Sequence, residues 1–72
     1  MTTDVRRVVA TAVEEELLRA DHSLQWLSQQ TGITGRALRK KMSGEADFTV
    51  ADLAHIAQAL DIPVARLTPS PH

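Results

Sequence analysis

Apolar positions recur with a helical period along most of this 72-residue chain. Val5, Val9, Val13 and Leu17 stand four apart and so share one face of a helix. The spacing predicts a first helix over residues 4–20, with Thr2 or Thr3 as its cap and Asp4 at the positive end of its dipole. Val8 and Ala12 widen the inward stripe, while Leu18 falls outside it. Glu14 and Glu15 point outward, and Glu16 lies close to the stripe without an evident reason. Asp21, His22 and Ser23 break the pattern. Ser23 can cap a second helix over residues 24–31, and Gly32 ends it where positive φ is needed. Ile33 is an apolar plug in the turn. Thr34 can cap a third helix that ends near Ser43, with Gly44 just beyond. Residues 45–48 read as a loop. Thr49 followed three residues later by Asp52 resembles a capping box. The fourth helix then presents Val50, Leu53, Ala54, Ile56, Ala57 and Leu60 as a broad apolar face. Pro63 can open a short fifth helix with Val64 and Leu67 turned inward, and residues 68–72 form a frayed tail.

These elements predict one all-α domain of five helices over residues 1–67. Composition agrees: Trp and Phe occur once each, Tyr is absent, and Gly and Pro fall between the helical stretches. There is no Cys, which excludes a disulfide frame, a thiolate zinc site and a thiol nucleophile. No apolar run approaches the ~20 residues of a membrane span. The start of the chain lacks the pattern of a secretory signal, so a cytoplasmic location is expected.

The net charge of −1 says little, but its distribution says more. Residues 23–44 hold Arg36, Arg39, Lys40 and Lys41 and no acid, while acids outnumber bases on both sides of that segment. A local basic patch can serve phosphate even in a near-neutral chain. The same segment has the form of two short helices joined by a tight glycine-containing turn. Leu27 on the first must pack against Leu38 on the second, and Ser28 is small where the helices approach. On a helical wheel Arg36, Arg39, Lys40 and Ser43 share one side of the third helix, and Ala37, Leu38 and Met42 the other. An apolar back and a cationic front suit the major groove of B-DNA.

The strings SLQWLSQQTGITGRALRKKMSG and FTVADLAHIAQALDIPVARL resemble the Cro/repressor-type helix-turn-helix family, the xenobiotic-response-element-like DNA-binding regulators. The likeness runs from about Val13 to Leu67, and its LxxIAxALxI portion is the more family-specific part. It implies a lambda-repressor-like fold whose third helix enters the major groove. By that match the DNA-contacting candidates are Thr34, Gly35, Arg36, Arg39, Lys40 and Ser43. Leu24 stands where the family often has a phosphate-binding Gln, and Gln25 beside it is the candidate substitute. Lys41 replaces a usual apolar residue; its stem is expected to pack and its amine to reach solvent. The loop after the third helix carries Glu45 and Asp47 where many relatives have Lys or Arg.

Arg36 is the candidate for a two-bond contact to a guanine edge. Arg39 and Lys40 suit phosphate as well as base, and Arg6 and Arg7 read first as a solvated first turn. Trp26 is expected to cover a helix junction. His22, His55 and His72 are too scattered for a metal site, and nothing arranges Ser, His and Asp for catalysis. No enzyme activity, cofactor, metal, small-molecule ligand or membrane partner is expected. The expected function is sequence-specific double-stranded DNA binding by a small Cro-like or repressor-type transcriptional regulator of phage or bacterial type. One short helix reads few base pairs, so a weak homodimer that pairs on DNA is expected, through Ile62 to Leu67 or through the outer part of the first helix. The competing readings are a protein-interaction module that has lost DNA binding and an accessory architectural DNA-binding factor.

Overall fold

A computed structural model of the chain describes residues 5–68. Four α-helices follow one another: α1 (Val5–Ala20), α2 (Leu24–Thr31), α3 (Gly35–Met42) and α4 (Val50–Leu60). Among the described residues there is no strand. The expected fifth helix is a single 3-10 turn, Val64–Arg66, with Pro63 at its cap position. Residues 1–4 and 69–72, and with them the expected Thr2, Thr3 and Asp4 start signals, lie outside the described residues.

Local chemistry fixes where each helix begins. The Ser23 hydroxyl accepts the Trp26 amide at 3.1 Å, and Thr34 accepts the Ala37 amide at 3.2 Å. Thr49 and Asp52 form a full capping box: the Asp52 amide donates to Thr49 Oγ1 at 3.0 Å, and the Thr49 amide donates to Asp52 Oδ2 at 2.9 Å. Each such cap satisfies an amide that the helix itself leaves open, worth about 1 kcal/mol.

Each of the four helices is followed, within two residues of its end, by a residue in the left-handed region: Asp21 (φ 60°), Gly32 (φ 79°), Gly44 (φ 87°) and Asp61 (φ 57°). After α1, α3 and α4 the chain closes back by the same pair of bonds. His22, Glu45 and Ile62 donate to Leu17, Lys40 and Ala57, and the residue before each donates to the next carbonyl along. Asp serves twice because its short polar side chain tolerates positive φ better than most.

The core gathers Val9, Val13 and Leu17 from α1, Leu27 from α2, Leu38 from α3, Leu53, Ile56 and Ala57 from α4, and Leu67 from beyond the 3-10 turn. Leu27, Leu38, Ile56, Leu67 and Val13 are fully buried. α1 packs on α3 and α4, and α2 packs on α3 and α4, so α3 is held from behind by two helices.

Several expected inward positions are corrected. Val5 is 57% exposed and Val50 85% exposed, each in the first turn of its helix, where the side chain points away from the core. Ala54 is exposed, and Val64 is half open while Leu67 alone turns fully in. The buried face of α1 is rotated toward Ala10, which is inside, whereas Val8 and Ala12 are only half-buried. Glu16 is buried within this face, and two arginines answer it: Arg19 at 3.6 Å and Arg66 at 3.5 Å.

Candidate nucleic-acid interface

α2 and α3 meet across Gly32, Ile33 and Thr34. Gly32 takes φ 79° and returns its amide to Ser28 O at 2.9 Å. Ser28 then donates its hydroxyl to Ile33 O at 2.5 Å, and the Ile33 amide donates to Thr31 Oγ1 at 3.2 Å. Ser28 is therefore more than a small residue at a close approach: it clamps the turn. These bonds leave Thr34 extended at φ −63°, ψ 152°, from which α3 departs.

Eight residues of α3 are about 12 Å of helix, close to the width of the major groove. Leu38 is fully buried on its inner side, and Ala37 and Met42 are half-buried. Thr34, Gly35, Arg36, Arg39, Lys40 and Ser43 are all exposed. Gly35 leaves open space where a Cβ would stand, so the start of α3 can be approached closely by backbone or base.

The cations of this segment divide into two kinds. Lys41 does not reach solvent as expected; its amine forms an ion pair with Asp52 of α4, half-buried between the two helices. Burial works against the charged Asp52 carboxyl. Hydrogen bonds from Lys41 and from Thr49, together with the Lys41 charge, outweigh it and hold the carboxyl below its usual value of 3.8. Arg36, Arg39 and Lys40, in contrast, form no ion pair with any described residue. The front of α3 is thus positive, while Lys41 fastens its back to α4.

Both ends of the α3 front are flanked by other elements. On the α2 side a cleft is lined by Leu24, Gln25, Ser28, Gln29, Gly35 and Arg39, which brings Gln25 beside the α3 candidates. At the other end a notch is lined by Arg7, Met42, Ser43 and Gly44. Ser43 is engaged locally, its hydroxyl 3.0 Å from both Lys40 O and a Glu45 carboxylate oxygen. The acidic loop is answered from α1: Arg6 pairs with Asp47 and donates to Gly44 O at 3.3 Å. That pairing joins positions 41 residues apart, and no local signal announces it.

Trp26 is half-buried and stacks on the His22 ring, centroids 3.6 Å apart and nearly parallel. Among the described residues no His, Asp and Glu gather into a group able to hold a metal ion, and no helix is long and apolar enough to cross a membrane. Comparison of the chain with family models, curated proteins and solved structures finds no match.

Proposed function

We propose that this chain is a sequence-specific double-stranded DNA-binding protein, a small repressor- or Cro-type transcriptional regulator that lays α3 in the major groove. The observation that carries the proposal is the front of α3: Arg36, Arg39 and Lys40 exposed and without an acidic partner among the described residues, on a helix whose back is anchored by fully buried Leu38. Surface cations are usually spread among acids or paired with them, and three together on one helix face form a footprint for phosphate and base edges. The α2–turn–α3 arrangement supports a helix-turn-helix reading of lambda-repressor type, with four helices and a closing turn in place of five helices. On this reading Thr34, Gly35, Arg36, Arg39 and Lys40 face the groove, Ser43 borders it, and Gln25 meets the backbone beside it. The protein works in the cytoplasm of a bacterial or phage-infected cell.

A second reading, a protein-interaction module, is favoured by exposed Glu45 and Asp47 at the edge of α3 and by the net charge of −1. Selection from a randomised duplex pool separates the two. The DNA reading expects enrichment of one short motif, and loss of that enrichment in Arg36→Ala. Recovery of a random pool by the wild-type chain would favour the interaction module.

A further inference from the structure

We propose that Arg7, on the first turn of α1, is a phosphate-binding residue that extends the DNA interface past the end of α3. The proposal rests on the DNA reading above and deepens it. From sequence alone Arg7 belongs to an ordinary solvated turn, 35 positions away from the end of α3. In the fold it lines a notch with Met42, Ser43 and Gly44, at the C-terminal end of the α3 front. It is exposed and forms no ion pair with a described residue.

Two features make this notch hospitable to an anion although it lies at the negative end of a helix. Three of the last four carbonyls of α3 are already occupied: Arg39 O accepts from Ser43, Lys40 O from Glu45 and Ala46, and Lys41 O from Gly44. In addition, the neighbouring arginine on α1 neutralises one of the two loop acids. Arg6 holds Asp47 and the Gly44 carbonyl, so Asp47 does not face an approaching phosphate as a bare charge. Glu45, drawn to Ser43, is the acid that remains at this edge. Adjacent arginines therefore divide the work, Arg6 toward the loop and Arg7 toward the notch. Gln25 flanks one end of α3 and Arg7 the other, so the backbone is met on both sides of the groove that α3 enters.

This places a cation where the loop sequence itself offers only acids. A phosphate contact carries no base information, so its loss weakens all duplexes alike. The test is binding of the wild-type chain, Arg7→Gln and Arg7→Lys to a selected duplex and to a random one across a salt series. Arg7→Gln is expected to lose affinity by the same factor on both duplexes, with the log–log salt slope smaller by about 0.9 per protomer. Arg7→Lys, which keeps the charge, should keep the wild-type slope. An unchanged slope in Arg7→Gln, beside a wild type that binds with a clear salt dependence, overturns the role of Arg7 alone. A wild type that binds neither duplex overturns the DNA reading and this inference together.

Discussion

Arg36 and Lys40 are both exposed cations on the front of α3, yet they stand at different places on it and should behave differently. Arg36 lies in the first turn, where a helix entering the major groove brings its side chains to base edges. Arg36→Ala is expected to cost about 1–3 kcal/mol on the preferred site and to relax base choice at one position. Lys40→Ala should weaken specific and random duplexes more evenly. Competition titrations with single-base variants of the site check both, and equal losses on all duplexes for Arg36→Ala would remove it from the base readers. Asp52 gives a prediction about stability. Its folded pKa lies below the ordinary 3.8, so the unfolded chain binds more protons between the two values, and the stabilisation rises with pH through that window. The contribution is complete above the unfolded value and is lost as pH falls through the folded one. Asp52→Asn removes the charge pair with Lys41 and should cost about 1–3 kcal/mol at neutral pH. The gap between wild type and variant should hold at neutral pH and close as pH falls below about 3.8. Denaturant melts at several pH values measure it, and a constant gap would mean that the ion pair contributes nothing.

The four helices owe their limits to local chemistry and their mutual arrangement to a few large side chains. Leu38 and Leu53 are buried in the common core, on α3 and α4. Leu38→Ala and Leu53→Ala should each cost roughly 2–5 kcal/mol, a large share of what a domain of this size can hold. Thermal melts check this, and near-native midpoints for both would refute the assignment of these helix faces. Helix limits were legible in the sequence because caps act over two to four residues: Ser23, Gly32, Thr34, Gly44, Thr49 and Asp52 announce themselves. The C-terminal role of Asp61 was not, since positive φ at Asp leaves no compositional mark as Gly does. The large inward residues Val9, Val13, Leu17, Leu27, Leu38, Leu53 and Ile56 were legible, whereas Val5, Val50 and the small Ala54 were not. Val5 and Val50 continue the apolar stripes, yet both stay exposed in the first turns of their helices. The candidate interface was visible as a basic segment between glycines. Its internal division was not, because Lys41 is withdrawn by an acid 11 residues away and Asp47 is masked by an arginine 41 residues away. Glu16, beside the stripe without an evident reason, finds part of its explanation 50 residues on, at Arg66.

The folded domain measures 35 × 24 × 21 Å and offers one α3. One such helix covers only a few base pairs, so recognition of a unique site calls for two copies with their helices one turn of DNA apart, about 34–36 Å. The surface expected for pairing is reduced by the fold. Leu67 is fully buried, which leaves Ile62, Pro63 and exposed Val64 at that end, and Leu18, 73% exposed, on α1. Patches this small fall short of the ~1,000 Å² of a stable interface. The free protein should therefore sediment as a monomer at micromolar concentration and as two copies on a palindromic site, and one copy per saturated palindrome would contradict pairing. The central claim is that an unpaired cationic face on α3 binds duplex DNA, and the salt dependence of wild-type affinity tests it most directly. With about 3–5 phosphates met per protomer, log affinity should fall linearly with log salt at a slope near −0.9 for each. An affinity for duplex DNA that does not change with salt would contradict the account.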